Sequence, residues 1–336
     1  MTAAAANPNT VKALDADAMP RAESQGEVVF RRFRRHKLAM AASVFLLVIL
    51  LVSLFAKEVA PYGPTEIEVG NPFAAPFSPA TDPSRPMHIL GTDHLGRDFF
   101  SRIIYAARIS LTVSMSVVLG SVIIGSLVGA VSGFYGGFMD DVLQRTVEFL
   151  LTIPLLPILL ILSSILLQTP DAIPVPPLLI SAVGRFMYIQ DREAQQVILV
   201  ILVLMAFGWL GIARLMRGMV LSLKSTDFVE AARALGVSDV GIITRHLIPN
   251  AFAPIIVAAS LDLAGYIITE AALSFLGLGI QDPTPTWGNM LAFTQSYMFN
   301  HPWLPLVPGL PIFISALTFN FIGDGLRDAL DPRLKL

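Results

Sequence analysis

Six stretches of this chain, residues 38–56, 110–133, 145–167, 197–216, 249–270 and 305–323, are nearly free of charge and close to 20 residues long. That is the length an α-helix needs to cross the hydrocarbon core of a bilayer. Within that core a backbone must satisfy its own hydrogen bonds, so continuous apolar runs of this length read as spanning helices. The chain is therefore expected to be an all-α polytopic membrane protein with six spans. Composition agrees: 14% of the residues are charged and 54% hydrophobic, against about a quarter charged in soluble domains. The absence of cysteine excludes disulfide frameworks, Cys-ligated metal sites and thiol nucleophiles. The 23 Lys and Arg are balanced by 25 Asp and Glu and form no basic domain, which argues against a nucleic-acid partner.

Orientation follows from how the basic residues are sorted among the connecting segments. With the N-terminus in the cytoplasm, inside segments hold 16 Lys and Arg and outside segments 7. The block RRFRRHK at 31–37, just before the first span, dominates that bias and favours an N-in, C-in topology. The first span lacks a small-x-small cleavage site and reads as an uncleaved anchor. Residues 1–30 read as a disordered cytoplasmic tail, 31–56 as a basic flank and first span, and 57–109 as an extracytoplasmic segment. Residues 110–336 then form a five-helix core, with an extracytoplasmic insertion at 168–196 and a cytoplasmic loop at 217–248.

That loop contains STDFVEAARALGVSDVGIITRHLIPN, residues 225–250. Asp227 has the chemistry of an N-cap and Glu230, three residues on, completes a capping-box spacing. Gly236 suits the left-handed position that ends a helix, Ser238 and Asp239 offer a fresh start, and Pro249 suits the first turn of the next span. Phe228, Ala231, Ala232 and Leu235 are spaced i, i+3, i+4 and i+7, so they share one shallow apolar face. Such a face fits a groove on a partner, and equally fits a helix resting on lipid headgroups with Glu230 merely capping its own turn.

The pattern E-A-A, three residues, Gly, and nine further residues before an apolar-x-apolar-Pro ending, from Glu230 to Pro249, resembles the cytoplasmic coupling loop of ABC importer permeases. His246 stands where many of them carry Ile, and Ile248 replaces Leu. Residues 88–111, HILGTDHLGRDFFSRIIYAARISL, resemble the segment before the second span of the dipeptide/oligopeptide/nickel branch, with Ala106 in place of glycine. LSFLGLGIQDPTPTWGNM at 273–290 and DPRL at 331–334 resemble the same branch. An anchor span ahead of GTDHLGRD is similar to its C-type subunit. The resemblance covers nearly everything from residue 30 onward except 168–196. It implies a type I importer permease fold with a cytoplasmic coupling helix. It also implies a second, homologous permease subunit, two ATPase subunits docked through Phe228, Glu230, Ala231, Ala232, Arg233, Leu235 and Gly236, and an extracytoplasmic substrate-binding protein. The implied cargo is a di- or oligopeptide, with nickel or another small solute as the alternative within the branch.

Several residues carry competing readings. In GTDHLGRD, Asp93, His94 and Asp98 suggest a cation site, but zinc spacings are absent and Arg97 would repel a cation. The alternative pairs Asp93 and Asp98 with Arg97 and Arg102 to fix an outer helix across the mouth of the pathway; as exposed pairs these would contribute only ~0–1 kcal/mol each. Glu148, Asp262 and Glu270 fall within or beside spans, where ionisable groups are costly and usually functional. They are pathway candidates, or a proton relay, although Glu148 and Glu270 sit near span ends where snorkelling is cheap. Pro154 and Pro157 interrupt the third span, and Gly120, Gly125, Gly129 and Gly133 line the second, as close-packing positions or as a hinge.

No G-x-x-x-x-G-K-[ST] phosphate loop occurs; KST at 224–226 lacks its glycine. The chain therefore carries no cofactor of its own in this reading, and ATP and magnesium belong to partner ATPases. An ion-driven secondary transporter is the other class of function, but such folds show paired broken helices in matched halves, and no internal repeat is visible. A membrane enzyme would need a nucleophile–base or metal constellation that the sequence does not contain.

Overall fold

A computed structural model describes residues 25–330. The DPRL ending and residues 1–24 of the N-terminal tail lie outside the described residues. Residues 25–30, expected to be disordered, are ordered as the start of helix α1 (Gln25–Arg35). Phe33 of α1 anchors it by packing where Gly325 leaves room. His36 then caps α2 (Lys37–Leu54), its ring nitrogen accepting from the Ala39 amide at 3.0 Å. After the single turn α3 (Ala56–Val59) the chain folds an irregular outer cap, 60–98, held by turns and isolated bridges.

Asp98 starts α4 (Phe99–Tyr135) by accepting from the Ser101 amide at 2.7 Å. This helix has 37 residues and so runs about 55 Å at 1.5 Å per residue, longer than the bilayer core is thick. GTDHLGRD is thus the loop that leads into the second span and ends in its N-cap, Asp98, and not a separate helix lying across a mouth as the sequence suggested. Gly136 and Gly137, both at positive φ, turn the chain into α5 (Gly137–Thr152).

The third predicted span, 145–167, is not one helix. Helix α5 and α6 (Leu155–Gln168) meet at an angle of 88°. Ile153 is extended (φ −75°, ψ 128°) because it precedes Pro154, which lacks an amide donor and crowds the residue before it. Pro157 lies in the first turn of α6, where no donor is needed, and breaks nothing. Five helices of the described chain are long and apolar enough to span, and the bent pair makes a possible sixth.

The insertion 168–196 is structured: a 3-10 turn at Pro170–Ala172, then α7 (Pro177–Met187), then the start of α8. Helix α8 (Asp191–Leu223) begins in a capping box between Gln190 and Glu193, earlier than the span at 197–216. Its main packing partner is α4, and the glycine stripe explains why. A Cβ on Gly125, Gly129 or Gly133 would lie 2.6, 2.3 or 2.9 Å from the carbonyl oxygen of Trp209, Ala213 or Arg217. The stripe is close packing, as small residues at helix interfaces allow. At the inner end Arg217 holds Asp140 through two bonds of 2.6 Å, and Lys224 Nζ donates to Gly133 O, so α4, α5 and α8 share one polar clasp.

Helix α9 (Asp227–Ala234) follows. A short α10 (Asp239–Gly241) runs through a π-helical stretch, Ile242–Leu247, into α11 (Ile248–Phe275), so 239–275 is one continuous rod. An outer loop leads to α12 (Trp287–Tyr297), and α13 (Leu306–Leu330) closes the bundle against α11, α2 and α1. Among the described residues there is no β-strand.

Candidate functional site

Two polar assemblies, one at each end of the α11 rod, stand out from an otherwise apolar bundle. The inner one is built on α9. Its N-cap is Thr226 in extended conformation, not Asp227, which occupies the first helical position, and no side chain closes a capping box. The Thr226 hydroxyl instead donates to Leu223 O at 2.6 Å, securing the end of α8. The other terminus is as the sequence reading expects. Gly236 has φ +78°, its amide donates to Arg233 O, and the Val237 amide donates to Ala232 O, the paired bonds of a Schellman motif. A Cβ on Gly236 would touch nothing within 4 Å, so the demand for glycine is conformational and not steric.

The faces of α9 differ from the predicted one. Val229 and Ala232 are buried against Phe134, Met216, Val220, Ile243 and Leu247. Ala232 therefore belongs to the inner core and leaves the outward face. Phe228, Ala231 and Leu235 remain exposed on it, Leu235 at 84%. Glu230 and Arg233 are exposed too, with the Arg233 guanidinium 5.7 Å above the Phe134 ring. Ser238 caps the next turn, accepting from the Gly241 amide. The segment is thus clamped to the end of α4, α8 and the α11 rod while presenting an apolar ridge outward.

The outer assembly corrects the expected pairings in GTDHLGRD. Asp93, Arg97, Asp98 and Arg102 are all buried, so they are not exposed surface pairs. Asp98 meets no arginine; besides capping α4 it faces His88 Nδ1 at 2.9 Å, and the other ring nitrogen of His88 faces Glu68. Tyr62 stacks on that imidazole. Arg97 Nε donates to Asp93 at 2.6 Å, and Arg97 and Arg102 both reach Asp282, at 2.9 and 3.0 Å. Arg102 also donates to Pro64 O at 2.8 Å. Two arginines and two aspartates thus close a charge-balanced lock between the start of α4 and the loop that leaves α11. Desolvation alone would raise the Asp282 carboxyl, but Arg97 and Arg102 hold it below the usual range. Glu68 likewise resists desolvation: bonds from His88, Asn71 and the Thr81 amide bring it down to about 2.

The membrane carboxylates separate. Glu148 is exposed on α5. Glu270 does not snorkel: α11 continues past it and it is fully buried, accepting from Ser110 at 3.0 Å and from Ser274 at 2.7 Å. It binds α4 to α11 internally. Asp262 is half-buried on α11 and makes no hydrogen bond or ion pair among the described residues. No group of three or more His, Asp or Glu that could hold a metal occurs among the described residues.

Sequence reasoning missed Asp282, His88 and Glu68 as partners, because each acts across 10 to 185 positions of chain. It also missed Arg108, an arginine that interrupts an apolar helix and is a signal on that ground alone. Arg108 donates to the Ser53 and Leu54 carbonyls at the end of α2. Its guanidinium lies between the rings of Phe186 and Tyr188, at 4.6 and 4.4 Å. The insertion at 168–196 thus supplies the aromatic clamp for a cation that caps the first span.

Residues 121–336 match the family described as binding-protein-dependent transport system inner membrane component, and residues 24–82 match the N-terminal TM domain of oligopeptide transport permease C. The glutathione transport system permease protein GsiD of Escherichia coli O6:K15:H31 (strain 536 / UPEC) is 37% identical over 306 residues, covering 91% of this chain and 90% of that protein. GsiD of Shigella boydii serotype 4 (strain Sb227) matches to the same extent. A crystal structure of an amino acid ABC transporter with histidines is similar at 18% identity and TM-score 0.45, covering 67% of this chain and 91% of that one. The chain belongs to the binding-protein-dependent inner-membrane permeases, the non-catalytic membrane subunits of ABC importers, in the branch that carries the oligopeptide permease C domain.

Proposed function

We propose that this permease imports peptides, with peptides of glutathione size as first candidates. It would act with a second homologous permease, two ATPase subunits that bind ATP and magnesium, and an extracytoplasmic binding protein that delivers the cargo. The observation that carries this reading is the clamped α9 with its outward ridge of Phe228, Ala231 and Leu235, joined through Gly236 to a rod that runs from Asp239 to Phe275. A relative whose name states glutathione transport, 37% identical over nearly its whole length, supports the cargo class.

The mechanism follows from that rod. Closure of the ATPases pushes on α9; the Schellman turn and the Ser238 cap leave little slack, so the displacement passes into α11 as a rigid-body movement. At the far end α11 is tied to α4 by Glu270 and by the lock on Asp282, so the outer end of α4 moves with it. Asp262, unpartnered on the same rod, is costly to leave bare in a bilayer and is assigned to the pathway or to the second permease. Glu148 is assigned to the surface offered by α5.

The test uses the whole complex in vesicles, with radiolabelled glutathione and a dipeptide as cargo. Uptake should require ATP and the binding protein. A Gly236→Pro variant should insert normally yet lose cargo-stimulated ATPase. Uptake driven by an ion gradient in the absence of ATP, or unchanged ATPase stimulation in that variant, refutes the reading.

A further inference from the structure

Between the first and last spans lies a groove of about 490 Å³ whose lining is apolar throughout. Its floor is Ile104, Ala107 and Trp287, each buried, and Trp303 stands at its outer end. Its mouth opens sideways between α2 and α13, where Val48 and Leu310 are each 52% exposed. The residues contributed by α2 run outward from its midpoint, Phe45 to Val52, and those contributed by α13 come from its first three turns, Leu306 to Ile314, so the groove lies in the outer leaflet of the bilayer. We propose that this groove is a binding site for one acyl chain of an outer-leaflet phospholipid, which fills the space between the first span and the core.

Three observations favour lipid over a protein occupant. The mouth is continuous with the membrane-facing surface: only 17% of the α2 window is buried within the chain, against 50% for α8, and α2 is uncharged after Lys37. A helix apolar all round and so little covered faces hydrocarbon. No lining side chain offers a hydrogen-bond group except the two indoles, and Trp287 Nε1 already donates to Ile103 O. Tryptophan at the outer rim is where membrane proteins place their interfacial aromatics. Burial itself gives no drive here, since the bilayer is as apolar as the groove. What the groove adds is contact on three sides, and about ten extra carbon–carbon contacts suffice for about a tenfold preference over the flat helix surface.

The experiment places the full complex in vesicles of phosphatidylethanolamine and phosphatidylglycerol containing a phospholipid with a mid-chain diazirine. After illumination, cross-links are mapped on the chain. Labelling per residue over 100–107 and 306–314 should exceed that over the exposed α2 face at Val44 and Leu47 by about tenfold. In an Ile104→Trp variant, which fills the floor, that excess should disappear while labelling of α2 persists. If Ile104→Trp fails to assemble, retention decides: when the wild-type complex is transferred from labelled vesicles into detergent and washed before illumination, labelling of 100–107 should persist while that of Val44 and Leu47 is lost, and loss of both together overturns the proposal. Equal labelling of groove and α2 face overturns the proposal. Protection of 100–107 by a cross-link to the second permease overturns it as well.

Discussion

Replacing Asp282 by Asn keeps the shape of the side chain and removes one charge from the lock at the outer end of α11. Asp282 accepts from Arg97 at 2.9 Å and from Arg102 at 3.0 Å, while Asp93 is 2.6 Å from Arg97 and 4.0 Å from Arg102. The four charges sum to zero, and the substitution leaves one positive charge in excess on guanidiniums that are 3% and 1% exposed. At an effective dielectric of about 20, a unit pair 3 Å apart is worth roughly 5 kcal/mol before desolvation. Breaking a buried pair costs about 3–5 kcal/mol. Asp282 is itself 30% exposed and asparagine keeps one acceptor, so the expected loss is about 2–3 kcal/mol. Denaturant titration of the purified complex in mixed micelles measures it, and a double-mutant cycle with Arg97→Gln isolates the pair, with a coupling of at least about 1 kcal/mol expected. If Asp282→Asn is neutral and the cycle is additive, the buried lock does not hold α11 to α4 and the gating account above fails with it. The substitution should also raise uncoupled ATP hydrolysis, because the inner end of the rod no longer senses a fixed outer end.

Two further outcomes follow from the packing and the cap. Gly129→Leu places side-chain atoms where a Cβ alone would lie 2.3 Å from Ala213 O; separating α4 from α8 should cost about 3 kcal/mol or more, read as loss of folded complex in detergent, whereas the same change at Gly211, where a Cβ meets nothing, should be tolerated. The outer cap should weaken in acid: the Glu68 carboxyl, held at about 2 against the ordinary 4.5 of a glutamate, contributes stability above about pH 4.5, lost as pH falls toward 2. The gap in thermal midpoint between wild type and Glu68→Gln should therefore close across that window, and a gap independent of pH contradicts the assignment.

Much of the architecture was legible in one dimension because its causes are local. Span length, the basic block at 31–37 and the glycine at the end of α9 each act within a helical turn or a bilayer thickness, so a window of sequence contains the whole physical argument. The proline at 154 was legible as a break, but its angle was not, since a freed carbonyl can be answered by a kink or by a new direction according to what packs beside it. The inward turn of Ala232 was hidden for a similar reason. Spacing places residues on a face, while the position of the neighbouring helices decides which face is covered.

By itself the sequence determined that the chain spans a membrane, on which side of it the loop at 217–248 lies, and to which family of permeases it is similar. Those follow from hydropathy, charge sorting and a punctuated helix, all short-range properties. Tertiary structure alone decided who meets whom among the charges. Asp98 faces His88 and not an arginine, Asp282 closes a lock with residues 180 and 185 positions away, Glu270 is sealed inside, and Arg108 is clamped by the insertion that the family pattern left unexplained. A buried charge in an apolar bundle must find a counter-charge or a dipole wherever the fold brings one near, and only the packed helices specify where that is.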